Sequence, residues 1–230
     1  IPTFDDVSQL AQRIDEDAPD ALATPIKVVL MVTLLSLLPA MLILTTSFTR
    51  IVIVLAFIRR ALTTRNIPPA PVIIGLSVFL SLFVMAPTLA DINREAVQPY
   101  LNEEIPSQEA MKNGVLPLRD FMFRQTEKKE LALFVRMSGG SRPSARQDVP
   151  THVLIPAFVI SELKKAFELG FVLFLPFLVL DLVVASVLLS MGMMMLPPII
   201  ISAPLKILLF VLVDGWHLVA ESLIFSFGGA

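Results

Sequence analysis

The stretch Met191-Gly192-Met193-Met194-Met195-Leu196-Pro197-Pro198 decides how the apolar half of this chain can fold. Two adjacent prolines lack amide donors and clash with the preceding turn, so a helix cannot run through them. The uncharged run from Leu182 to Leu205 contains this stretch and a third proline, Pro204, and therefore cannot be one straight helix. Four of the ten methionines fall within five residues just ahead of the break. Flexible thioether side chains serve where a neighbouring surface changes shape, and equally as gap-fillers in a core.

Composition sets the class. The 230 residues are 55% hydrophobic and 17% charged, with a mean hydropathy of +0.78. That is too apolar for an ordinary water-soluble domain and reads as one domain of a membrane or membrane-complex protein. A formal charge of -2 gives no reason to expect a nucleic-acid partner. With no cysteine there is no disulfide and no thiolate metal or redox site. Ile1 in place of an initiating Met points to a processed or trimmed chain, and a removed secretory signal would fit.

The charge map divides the chain into four. Residues 1–25 form an acidic arm with six acids and Arg13 as the sole base. Residues 26–90 carry no acid and five bases, Lys27, Arg50, Arg59, Arg60 and Arg65, and read as a first apolar helical hairpin. Its uncharged runs, 28–49 and 66–90, each reach the ~20 residues that a bilayer core requires. Arg59, Arg60 and Arg65 cluster between them, a connection that the positive-inside rule places in the cytoplasm. Residues 91–150, with nine acids and nine bases, form a water-exposed lobe of amphipathic helices on the opposite side. There Leu118, Phe121, Met122, Gln125, Leu131, Phe134 and Val135 recur at spacings near three and four. "SGGSRPSARQDVP", residues 138–150, is the clearest loop.

Residues 151–230 form a second, broken apolar hairpin with the Met loop, residues 191–198, at its tip. Glu162, Lys164, Lys165, Glu168, Asp181, Lys206, Asp214 and Glu221 interrupt it. Twelve uncharged residues separate Glu168 from Asp181, and seven separate Lys206 from Asp214, runs more suited to a buried or re-entrant helix than to a span. A charge at the centre of a lipid-facing helix costs roughly 2.5–3.5 kcal/mol. These charges are therefore expected to meet partners inside a multi-subunit assembly. Glu162 and Lys206 are each a rare charge in an apolar helix; they either snorkel to water or pair with one another, most readily between adjacent copies. Arg50 poses the same choice, as do Asp181 and Asp214, for which no partner is preferred.

No catalytic constellation emerges. His152 lies at a loop-to-helix junction and His217 follows Trp216 in an apolar helix, neither with a nucleophile or metal-ligand partner at helical spacing. There is no glycine-rich phosphate loop, which argues against an ATP-driven pump. Thioethers can ligate Cu(I), so a metal or small-solute channel is the rival class. Copper sites of that kind use spaced methionines with His or Cys nearby, whereas these sulfurs are contiguous. A deformable pore lining is the preferred role for Met191, Met193, Met194 and Met195. Gly192 would let the loop turn and Pro197 and Pro198 would stiffen its far end.

Five blocks, "LPAMLILTTSFTRIVIVLAFIRRAL", "PLRDFMFRQTEKKELALFVRM", "LIPAFVISELKKAFELGF", "DLVVASVLLSMGMMMLPP" and "PLKILLFVLVDGWHLV", occur in order between residues 38 and 219. They closely resemble the FliP/SctR family of type III secretion export-gate proteins, shared by flagella and virulence injectisomes. The resemblance implies an all-α fold and several copies of the chain coiled into a helical, cone-like channel with FliQ-like, FliR-like and FlhB-like subunits. It implies no enzymatic activity and no cofactor. It places the chain at the bacterial inner membrane within the flagellar basal body, largely on the periplasmic side and in contact with lipid. There the Met loop projects into a channel that carries unfolded export substrates.

Overall fold

The computed structural model describes residues 20–63, 68–139, 145–193 and 196–228. The described residues are all-α. Helix α1 spans Asp20–Thr45, α2 Phe48–Ala61 and α3 Ala70–Ile92. A π-helical segment, Asn93–Val97, and a short α4, Gln98–Leu101, continue α3 without interruption. Then come α5 (Ser107–Gln125), α6 (Lys128–Met137), α7 (Thr151–Ser190), α8 (Ile199–Leu212) and α9 (Gly215–Gly228). The acidic arm lies outside the described residues apart from its last few positions, as do Arg65 and residues 140–144 of the 138–150 loop.

The core forms where α2 crosses the first half of α7. Helix α2 buries Ile51, Val54, Leu55, Ile58 and Ala61, one helical face. It meets Val153, Leu154, Ala157, Phe158, Ser161, Glu162 and Ala166, the matching stripe of α7. Gly170 makes this crossing close: a Cβ there would lie 2.9 Å from the Phe57 ring, which packs edge-on against Phe167 at 5.4 Å. Helices α5 and α6 add Phe121, Met122 and Phe123 with partly buried Leu131, Phe134 and Val135, the amphipathic pattern read from the sequence.

Helix α3 is patterned the other way round. Its inward stripe is Ile73, Ser77, Ser81, Met85 and Thr88, while Val72, Phe79, Leu82 and Phe83 point outward. Small polar residues inside and large apolar ones outside are the pattern of a helix whose surroundings are lipid or further protein. Among the described residues, three helical stretches are long and apolar enough to cross a membrane: Pro25–Thr45, Ala70–Leu101 and Thr151–Ser190. The bent pair Ile199–Leu212 and Gly215–Gly228, with 66° between its parts, makes up to four.

Three expectations change here. The short apolar runs on either side of Asp181 belong to one continuous helix, α7, which at 40 residues is about 60 Å long. The charges that argued for a break are neutralised by partners within the chain, so the helix keeps going; the second hairpin is broken at the Met loop and at Asp214–Gly215 instead. In the first half, the run 28–49 is not one helix, because α1 ends at Thr45 and α2 begins at Phe48. The hydroxyl cluster Thr45-Thr46-Ser47-Phe48-Thr49 explains it. Thr49 Oγ1 donates to the Ile43 carbonyl at 2.9 Å and Phe48 N–H to Thr46 Oγ1 at 3.4 Å, side-chain bonds that compete with the helical ladder. Arg59 and Arg60 consequently lie in the last turn of α2 rather than in a loop.

Candidate functional site

Two polar nodes and one loop account for the described residues singled out by the sequence, apart from Asp214. The first node is Arg50, 1% exposed, one turn into α2. Its Nε donates to Glu162 Oε2 at 2.9 Å and Nη2 to Glu162 Oε1, a forked ion pair. Nη2 also reaches Gln125 Oε1 at 2.9 Å, and Nη1 donates to the Ser226 carbonyl at 2.7 Å and to Ser226 Oγ at 3.0 Å. All five guanidinium N–H donors can thus be satisfied. The Phe227 ring covers the cation, its centroid 3.7 Å from Cζ. Gln125 Nε2 donates to the Phe227 carbonyl at 3.2 Å, and Lys165 Nζ donates to the Gln125 carbonyl at 2.7 Å. One arginine therefore ties α2, α5, α7 and α9 together.

The second node is Lys206 on α8, also buried. Its Nζ donates to Asp181 Oδ2 on α7 at 2.5 Å and to Thr63 Oγ1, just past α2, at 3.1 Å. Glu162 and Lys206, expected as mutual partners, are each taken by another residue. The reason is geometric. Glu162 and Asp181 stand 19 residues apart on one continuous helix, about 28 Å, and Lys206 comes back antiparallel to α7 level with Asp181. One turn below, Phe177 and Phe210 repeat the same pairing with ring centroids 6.1 Å apart. Asp214 joins neither node: it is exposed, with φ +52°, at the bend between α8 and α9. Gly215, next to it, cannot carry a side chain, because a Cβ would fall 2.3 Å from the Phe210 ring.

The loop is capped in a recognisable way. Gly192 has φ +74°; its N–H donates to the Leu189 carbonyl at 3.0 Å and Met193 N–H donates to the Leu188 carbonyl at 3.0 Å. These two bonds are a Schellman ending, which needs the left-handed residue that glycine supplies most cheaply. On the far side the Pro197 carbonyl accepts from Ile200, and the Pro198 carbonyl from Ile201 and Ser202. The prolines therefore start α8, satisfying its first donors. Met191 is 68% and Met193 43% exposed at the tip. Met194 and Met195 lie outside the described residues.

Sequence reading put Gln125 on an inward helical face without a partner and missed Ser226 and Thr63, whose types carry no signal without the contacts. It also missed that Glu221 stands one turn after His217, with His217 Nε2 4.0 Å from Glu221 Oε2. This exposed pair is not a metal site by itself. A separate anchor, Arg119, donates to Thr151 Oγ1 and, at 2.6 Å, to the Val149 carbonyl, fixing the entry into α7. Burial lowers the Arg119 pKa from the ordinary arginine value, against the opposing effect of Asp120.

Known proteins bear on this arrangement. The chain is 51% identical over 209 residues to the flagellar biosynthetic protein FliP of Bacillus subtilis (strain 168), covering 91% of this chain and 95% of the relative. It is 51% identical over 202 residues to that of Caulobacter vibrioides, with 88% and 76% covered. It is 48% identical over 208 residues to that of Aquifex aeolicus, with 90% and 87% covered. The FliP family model matches residues 19–223. A chain matched from the start of α1 to the middle of α9, with Arg50, Glu162, Asp181, Lys206 and the Met loop inside the matched range, belongs to the FliP family.

Proposed function

We propose that this protein is a structural, pore-forming subunit of the flagellar type III protein export gate, in which copies of the chain surround a channel for unfolded flagellar proteins. The observation that carries the reading is the Met loop. A hairpin pinned by an ion pair ends in a glycine-capped turn that exposes Met191 and Met193, in a family whose relatives bear the name flagellar biosynthetic protein. Thioethers from several copies, Met191, Met193, Met194 and Met195, would meet as an apolar ring that excludes water at rest and reshapes around each passing residue. FliQ-like, FliR-like and FlhB-like subunits complete the gate in this reading. In this reading the complex sits in the inner membrane with much of the chain toward the periplasm, and the long apolar helices support the membrane part of it. The relatives' names favour a flagellar over an injectisome role.

The test replaces Met193, Met194 and Met195 by alanine and measures small-ion conductance per assembled complex. The variant should assemble, leak ions and still export substrate at least in part. Equal leakage in variant and parent, at equal amounts of complex, returns the methionines to the role of filler.

A further inference from the structure

Each leg of the hairpin that carries the Met loop has a weak point near the Phe177–Phe210 contact. In α7, a continuous helix, it is Pro176, which has no amide to donate to the Val172 carbonyl. In the returning leg it is Asp214, held at φ +52° at the 66° bend between α8 and α9. Below these points both legs are fixed: α7 by Glu162 on Arg50 and by the Phe57–Gly170 crossing, α9 by Ser226 on Arg50. Above them, Asp181–Lys206 and Phe177–Phe210 hold the two legs to each other.

A polar contact between the described residues joins this hairpin to the part below, and it comes from a strained residue. Thr63 follows the C-terminus of α2 with φ +58°. A left-handed residue after a helix is ordinarily glycine, and a β-branched residue there is a conformational outlier. The hydroxyl that glycine lacks accepts a hydrogen bond from Lys206 Nζ at 3.1 Å.

We propose that the α7–α8 hairpin beyond Pro176 is a hinged unit, pivoting at Pro176 and Asp214, and that Thr63 is the positioning residue that sets its angle by strapping Lys206 to the end of α2. The proposal concerns the placement of the loop and stands whether or not the loop seals a channel. From Pro176 to Ser190 the lever is about 21 Å, so a swing of about 10° moves the tip by about 4 Å.

The chain has no cysteine, so two introduced thiols can be spin-labelled uniquely. Ser190→Cys reports the tip and Lys129→Cys, on α6, the fixed part; both positions are exposed. Distances are measured by pulsed electron paramagnetic resonance in complexes where a minority of labelled full-length chain is diluted with unlabelled chain. Thr63→Val keeps the side-chain shape and loses the strap, so its distance distribution should shift by about 4 Å or broaden to match. Thr63→Ser should match the parent. Adding Pro176→Ala to Thr63→Val should narrow the distribution again. Thr63→Gly, which suits the positive φ, carries the same expectation as Thr63→Val and decides the matter should the valine variant not fold. The proposal is overturned if the variant without the hydroxyl superimposes on the parent, or if Thr63→Ser moves the tip as far as Thr63→Val.

Discussion

At the scale of single residues, Arg50 and Glu162 dominate. A buried ion pair is not in itself a strong stabiliser, because desolvation offsets much of the attraction, but removing one partner strands the other and costs about 3–5 kcal/mol. Arg50→Ala and Glu162→Ala should each lose about that much, read as a lowered denaturation midpoint in detergent. Arg50→Lys should recover little of it, since an ammonium has three donors and cannot span Glu162, Gln125 and Ser226 at once. The pairing makes a sharper claim as well. Double-mutant cycles should give strong coupling for Arg50 with Glu162 and for Asp181 with Lys206. Glu162 and Lys206 should be additive within about 0.5 kcal/mol, as expected for distant sites with no shared partner. Coupling of Glu162 with Lys206 as strong as either of those pairs would mean that the two meet across copies.

The elements are shaped by close approaches at two glycines. Gly170 admits the Phe57 ring and Gly215 admits Phe210, which in turn meets Trp216 edge-on at 5.1 Å. Overfilling such contacts costs about 1–3 kcal/mol. Gly215→Ala should destabilise by at least this much, because the ring overlaps the new Cβ and is itself held against Phe177. Gly170→Ala should be milder, and Phe57→Leu should rescue it in part. Thermal unfolding of the four single and double variants checks both statements; a neutral Gly215→Ala would show that the bend between α8 and α9 can relax.

At the scale of the whole molecule the exposed surface is the informative feature. Much of its apolar side-chain surface points outward, including Val72, Phe79, Phe83, Phe171, Val172, Leu182, Val187, Ile200, Val211 and Leu212. Contiguous apolar surface on this scale marks a membrane or a protein interface. Inside, the Ser202 and Thr88 hydroxyls are buried without a hydrogen-bond partner among the described residues. In mild detergent the protein should elute as an oligomer, its mass read by light scattering. A stable, monodisperse monomer would count heavily against the proposed gate.

The sequence by itself determined what depends on local chemistry and on composition. Tandem prolines end a helix whatever surrounds them, so Pro197 and Pro198 placed the tip of the hairpin, and Gly192 placed its turn. Spacing along α5 and α6 exposed their inward faces, because those helices have one polar side facing water. Along α3, α7 and α8 that contrast is missing: the helices are apolar all round and no period tells which face is inside. The inward stripe of α8, Ser202, Lys206 and Phe210, would read as the outer face of a water-soluble helix. Only the tertiary structure decided the pairing of charges. Arg50 and Glu162 are 112 residues apart in sequence, and whether Lys206 finds Glu162 or Asp181 depends on how α8 folds back along α7. An ion pair is a statement about distance, and distance between helices is set by packing that no single segment encodes.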